Sequence, residues 1–97
     1  MLFKETKNNF FISTTFFDDT RIKLLRASHN GSELLVFFLH ISLLAGNNNG
    51  KIVFTEELIK ENNYTESFVK EAMTKYIYFG LIEKDDYNDY FIADIIY

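Results

Sequence analysis

The chain has 97 residues, of which 47% are hydrophobic and 25% charged, and it contains no proline, cysteine or tryptophan. This composition is typical of one folded domain and excludes a disordered tail, a disulfide framework and a thiolate metal site. The formal net charge of −4 is uneven: residues 1–82 hold nine basic and nine acidic side chains, and residues 83–97 hold one lysine and five acids. Because phosphate neutralisation supplies most non-specific affinity for nucleic acid, this balance counts against a nucleic-acid binder unless its cations cluster.

An extended N-terminal arm is predicted over residues 1–17, where aromatic residues alternate with polar ones and Phe10-Phe11-Ile12 suits a short strand. The start of the chain lacks the apolar stretch of a secretory signal. The longest apolar run, Leu34 to Leu39, is too short to cross a bilayer. We therefore expect a cytoplasmic protein with no membrane contact.

Residues 18–80 are predicted to form a helical core that opens with two helices. Asp18-Asp19-Thr20 offers N-cap oxygens to the first helix, which ends at His29-Asn30-Gly31. The side chains predicted to be apolar and buried on it are Ile22, Leu24 and Leu25, and those predicted to be exposed are Arg21, Lys23 and Arg26. From Ser32 to Ala45 nearly every residue is large and apolar, so the second helix lacks a polar face. We expect it to be central in the fold or buried again at a dimer interface.

A helix-turn-helix is predicted over residues 55–79. Its two helices follow a glycine- and asparagine-rich turn and a short strand. The elements in chain order are a strand over Lys51 to Phe54, a two-turn helix over 56–61, a tight connection at 62–64, and a longer helix from the N-cap Thr65 to Phe79, before Gly80.

The longer helix is predicted to have a buried and an outer side, because its apolar residues recur at helical spacing. The inner side holds Phe68, Val69, Ala72, Met73, Tyr76 and Phe79, and the outer side holds Ser67, Lys70, Glu71, Thr74 and Tyr78. A ligand of this helix would touch the outer side.

The last segment, residues 81–97, is predicted to be a β-hairpin that serves as a wing. Its strands are Leu81 to Lys84 and Tyr90 to Ile95, around a turn rich in Asp and Asn. The acidic turn is a poor surface for DNA. The order of elements therefore predicts a mainly helical α+β fold: one winged helix-turn-helix domain with an extra N-terminal arm and helix.

Several stretches resemble the N-terminal domain of phage replisome organisers. They are Phe16-Phe17-Asp18-Asp19 leading to Ile22-Lys23-Leu24-Leu25-Arg26, the apolar helix Val36 to Leu44, Asn49-Gly50-Lys51-Ile52, and Phe79-Gly80-Leu81-Ile82-Glu83. The resemblance implies a part in phage DNA replication, by binding origin DNA and helping to recruit helicase-loading proteins. It also implies that recruitment uses a further C-terminal region, so we expect this domain to bind DNA or to self-associate.

The side chains predicted to contact double-stranded DNA combine hydroxyls, which suit bases, with cations, which suit phosphates. They are Thr65, Ser67, Lys70, Thr74, Lys75 and Tyr78 on the longer helix, with Arg21 and Arg26 on the first. An ordinary solvated face remains the alternative, because Glu66 and Glu71 repel phosphate. Neither a catalytic motif nor a cofactor or metal motif is present, so we expect a binding protein rather than an enzyme.

Two functions compete. The first is a DNA-binding replication or regulatory module that acts as a homodimer and meets a replication protein, since symmetry doubles a short recognition site. The second is a module for protein interaction or oligomerisation, including a small acidic inhibitor, that uses the apolar helix at 32–45 and the aromatic arm.

Overall fold

A computed structural model describes residues 2–7, 9–46, 48–53, 59–60 and 62–96 of the chain. Within these ranges the fold is α+β, with three α-helices and two three-stranded sheets. The elements are β1 (Phe3–Glu5), β2 (Phe10–Ile12), α1 (Thr20–Ala27), α2 (Gly31–Gly46), β3 (Lys51–Ile52), α3 (Glu66–Tyr78), β4 (Ile82–Lys84), β5 (Tyr90–Ile92) and β6 (Ile95–Ile96), and a 3-10 turn over Phe16–Asp18 precedes α1. The predicted helix over 56–61 lies mostly outside the described residues, of which 59 and 60 are helical.

The N-terminal arm pairs within its own chain. In the first sheet, of order β2-β1-β6, β1 runs antiparallel to β2 and parallel to β6, so that Phe3 lies opposite both Ile12 and Ile95. Phe3 is fully buried and its ring stacks on Phe10 at 5.1 Å. The strand predicted at Phe10–Ile12 is confirmed. The arm is part of the core because it contributes the buried Phe3, and its pairing with β6 joins the two ends of the described chain.

The second sheet, of order β3-β5-β4, contains the predicted hairpin, with Ile82 opposite Ile92. The prediction of one continuous strand from Tyr90 to Ile95 is wrong. The chain passes between the sheets at residues 93–94: the Ala93 N–H still donates to the Leu81 carbonyl beside β4, and the Asp94 carbonyl accepts from the Phe3 N–H of the first sheet. Only β4 and β5 therefore form the hairpin, and β6 joins the arm.

The predicted central helix is confirmed as α2. Its inward face packs the large rings and aliphatic chains of the core, which include the fully buried Leu34, Phe37 and Phe38. Tyr76 of α3 is also buried, and its hydroxyl donates to the Leu34 carbonyl at 2.5 Å, which fixes α3 against α2.

One strip of α2 nevertheless faces water. Val36, Leu43 and Leu44 are 60%, 47% and 42% exposed, and we call these three residues the α2 strip. They lie at positions i, i+7 and i+8, on one side of the helix over about 12 Å. The apolar composition of α2 therefore exceeds what the core of this chain buries.

The predicted N-caps of α1 and α3 are confirmed, whereas α1 ends at Ala27, two residues before the predicted end at His29. The Asp19 carboxylate accepts from the Arg21 N–H at 2.9 Å and caps α1, and the Thr65 hydroxyl accepts from the Phe68 N–H at 3.1 Å and caps α3. The expectation that Leu24 is buried in α1 is wrong. It is 51% exposed, since Ile22 and Leu25 already fill the inner face of this short helix.

Candidate nucleic-acid interface

The outer face of α3 is open to solvent, as its spacing predicts. Ser67, Lys70, Thr74 and Tyr78 are exposed, Tyr78 by 83%, and we call these four residues the outer strip. Their steps of three and four residues place them one above another, because a turn of helix takes 3.6 residues. The opposite face, with Ala72, Met73 and Tyr76, is buried. The strip is thus a straight row of hydroxyl, ammonium and phenol groups on a helix held rigidly from behind.

Thr65 and Ser67 stand at the N-terminal end of this row. The Thr65 hydroxyl caps the helix, and its oxygen lies 3.3 Å from that of Ser67. The first N–H groups of a helix carry partial positive charge, which favours an approaching anion. Glu66, in the first turn, opposes that anion. Thr65 is therefore occupied as a cap, and Ser67 is the more available of the two hydroxyls.

Each lysine of α3 has an acidic neighbour one turn earlier. The Lys70 ammonium lies 3.9 Å from the Glu66 carboxylate, with both side chains at least 79% exposed. The Lys75 ammonium lies 3.2 Å from the Glu71 carboxylate. The Lys70 pair is open to solvent and contributes little to stability, so a phosphate can replace its carboxylate partner at low cost, whereas the Lys75 side chain is only 26% exposed.

Lys75 also joins α3 to the turn between α1 and α2. Its ammonium donates to the His29 carbonyl at 3.1 Å, which places this turn beside the C-terminal half of α3. Arg26, in the last turn of α1, lies with its guanidinium 5.5 Å from the centre of the Phe17 ring. The contact with His29 places the turn after the basic first helix beside Lys75 of α3.

Arg21 is the predicted site residue whose surroundings differ most from expectation. The sequence predicts that Arg21 is exposed on α1, but its side chain is only 30% exposed and its guanidinium lies 2.8 Å from Asp19 and 2.6 Å from Asp94. The hydrogen bond from Arg21 holds the pKa of the Asp19 carboxyl below its ordinary value. Arg21 thus ties the start of α1 to the link between β5 and β6. The nearby Asp19 was visible in the sequence, whereas Asp94, 73 residues away, was not.

A groove that sequence reasoning missed lies between the start of α2 and the turn before α3. It encloses about 540 Å³. The described residues that line it are Ser32, Glu33, Val36, Asn62, Asn63, Tyr64, Thr65 and Phe68. The rings of Tyr64 and Phe68 are nearly parallel, with centres 5.5 Å apart, and burial raises the pKa of the Tyr64 phenol. The sequence predicted only a tight connection here, because the groove depends on how α2 and α3 meet.

The sequence of this chain matches a known protein family. A family model described as the N-terminal phage replisome organiser matches residues 10–96. This chain belongs to that family. Searches of curated proteins and of solved structures found no match.

The hairpin of this replisome organiser domain has an acidic tip. Asp85 accepts hydrogen bonds from the backbone N–H groups of Tyr87 and Asp89, both at 2.9 Å, which holds the turn in shape. The Lys51 ammonium lies 3.5 Å from the Asp89 carboxylate at the edge of the same sheet. Phosphate would be repelled at this tip. Among the described helices, none combines the length and apolarity that a membrane crossing requires.

Proposed function

We propose that this replisome organiser domain is a winged helix-turn-helix that binds double-stranded DNA through the outer strip of α3, in the service of phage replication. The observation that carries the proposal is the strip itself. Ser67, Lys70, Thr74 and Tyr78 face solvent in one row on a helix whose other face is buried, in a chain of a replication family. A single helix of this width fits the major groove of B-DNA.

The residues have separate roles in this proposal. Lys70 meets a phosphate, Lys75 adds positive charge beside the strip while it is held by Glu71 and His29, and Ser67 and Thr74 face base edges. The Thr74 hydroxyl donates to the Lys70 carbonyl at 2.9 Å, so its oxygen remains available to accept a hydrogen bond from a base. Tyr78 packs against a sugar or phosphate at the end of the strip.

Supporting residues flank the strip. Thr65 orders the start of α3 as its cap, and Arg26 reaches a neighbouring phosphate across the turn that His29 forms. Arg21 acts on DNA only indirectly, by holding α1 in place, because its guanidinium already serves two carboxylates. These roles are those of a binding protein without catalytic chemistry.

Electrostatics sets the expected strength of binding. The α3 acids Glu66 and Glu71 balance Lys70 and Lys75, so one domain makes few phosphate contacts. Since each phosphate contact adds to the salt dependence, we expect weak, salt-sensitive binding by a monomer and tighter binding when a dimer doubles the contacts.

Fluorescence-anisotropy titration with labelled duplexes at two salt concentrations tests the proposal. Lys70→Glu with Lys75→Glu should weaken binding by at least about tenfold, because two attractions become repulsions. Lys7→Glu with Lys84→Glu changes the net charge equally but lies off α3, and it should retain most of the affinity. Equal losses in the two double variants would assign binding to net charge alone and refute a role for the strip. Circular dichroism must show that both variants are folded, since Lys75 also contacts His29.

The α2 strip favours a second candidate, self-association of the domain. Val36, Leu43 and Leu44 expose aliphatic side chains on a helix that is otherwise central to the core. Light scattering measures the mass directly. A dimer that Leu43→Glu with Leu44→Glu converts into a monomer supports this candidate, and a wild-type monomer at high concentration rejects it.

A further inference from the structure

We propose that the groove between α2 and α3 is a docking site for a segment of a partner protein that carries a large apolar side chain next to a lysine or arginine. This inference goes beyond the proposed DNA contact and does not depend on it. The groove opens at the N-terminal ends of α2 and α3, whereas the outer strip follows the solvent face of α3 towards its C-terminal end.

The two walls of the groove are apolar and are supported from below by a buried ring. Val36, which is 60% exposed, lies on one wall, and the stacked rings of Tyr64 and Phe68 form the other. Both rings also pack on the fully buried Phe37, with centres 4.5 Å and 5.6 Å away. A rigid apolar surface that stays open to water gains free energy when another apolar side chain covers it.

The size of the groove suits one anchoring side chain and its neighbours. About 540 Å³ lies within the range of sites that enclose small ligands, and it exceeds the volume of any single side chain. Interfaces between proteins concentrate their affinity where one large side chain fills such a pocket and its rim excludes water.

The rim selects the charge of the partner. Glu33 is the one charged residue among the described residues that line the groove, and the others on the rim are Ser32, Asn62, Asn63 and Thr65. The Glu33 side chain is exposed and forms no ion pair within the described part of the chain. A carboxylate beside an apolar surface attracts a partner that carries a cation next to an apolar group, and the same carboxylate repels phosphate. This is why we assign the groove to a basic protein segment rather than to DNA.

Two blocked 14-residue helical peptides serve as probes for the test. One contains Leu at every third and fourth position with Lys elsewhere, and its twin has Glu in place of every Lys. Each is titrated into the ¹⁵N-labelled full chain and followed by chemical shift. We expect the Lys peptide to shift the amides of Glu33, Val36, Asn63 and Phe68, and the Glu peptide to bind at least about tenfold more weakly.

Variants separate the groove from other surfaces. Glu33→Gln should weaken the Lys peptide about threefold to fivefold, as expected for loss of a partly exposed ion pair, and Val36→Asp by at least about tenfold. The matched controls are Glu83→Gln, which removes an acid outside the groove, and Leu24→Asp, which adds a charge at an exposed leucine of α1 outside the groove. Both should bind like the wild type.

Three results would overturn the inference: equal binding of the two peptides, shifts centred on the acidic hairpin turn at 85–89, or a duplex DNA that by itself shifts the amides of Glu33, Val36 and Asn63 as the Lys peptide does. Duplex binding by Glu33→Gln, measured in parallel, keeps this test separate from the proposed DNA contact. If the groove fails, DNA affinity is unchanged, and if the outer strip fails, peptide binding is unchanged.

Discussion

Gly31 allows α1 and α2 to meet, and its replacement by alanine should destabilise the domain. The residue is buried at the start of α2, directly after the turn that ends α1. A Cβ built on Gly31 would lie 2.2 Å from the Arg26 carbonyl oxygen and 2.7 Å from the Leu25 carbonyl oxygen. Both atoms belong to the backbone of the last turn of α1, so no side-chain rotation relieves the overlap.

Two opposing terms set the size of the effect of Gly31→Ala. Alanine is favoured over glycine in a helix by about 1 kcal/mol. The clash works against it, because α1 must move by at least 0.8 Å, from 2.2 Å to the 3.0 Å limit of real contacts. Overpacking of this kind costs about 3 kcal/mol at the upper end of its usual range. The net loss should be about 2 kcal/mol, which corresponds to roughly 10 °C in the melting temperature of a domain of this size.

Gly80→Ala is the matched control for Gly31→Ala. Gly80 has φ of +77° but open space around its Cβ position, so alanine meets only the cost of the left-handed conformation, about 1 kcal/mol. Urea unfolding of both variants, followed by circular dichroism, gives the two free energies. If Gly31→Ala were as stable as the wild type, or more stable than Gly80→Ala, the close approach of α1 and α2 would be refuted.

Three further changes test the packing and the Arg21 tether. Ser42→Ala should raise the free energy of unfolding by about 1 kcal/mol, because the buried Ser42 hydroxyl has no hydrogen-bond partner in the described part of the chain; a lower urea midpoint would contradict this. Tyr76→Phe should lower it by about 1 kcal/mol through the lost hydrogen bond to α2, and an unchanged midpoint would count against that bond. The pKa of Asp19 is depressed by Arg21, so the stability from this pair is present above about pH 4 and is lost as pH falls through the lowered folded-state pKa. Asp19→Asn retains an N-cap oxygen but should flatten this acid limb of a stability–pH profile; an identical limb would show that the pair adds nothing.

Local signals predicted the helices well. The cap residues Asp19 and Thr65, and the apolar spacing of α3, depend only on neighbours within one or two turns, and the structure confirms them. The same spacing placed Ser67, Lys70, Thr74 and Tyr78 on the outer face, where they lie.

Contacts between distant segments were beyond local signals. The parallel pairing of β1 with β6 joins residues more than 90 positions apart, and it turns the expected wing strand into two strands in different sheets. The local sequence predicts a surface cation at Arg21 because Asp94, one of its two carboxylate partners, lies 73 residues away. The groove was missed for the same reason, since its walls come from α2 and from the turn before α3.

Chemical-shift mapping of a duplex on the ¹⁵N-labelled chain at low salt tests whether α3 binds DNA. We expect the largest shifts along the outer strip, from Ser67 to Tyr78, with smaller ones at Arg26 and His29. Shifts confined to the hairpin or the N-terminal arm, with α3 unperturbed at saturating DNA, would contradict this expectation.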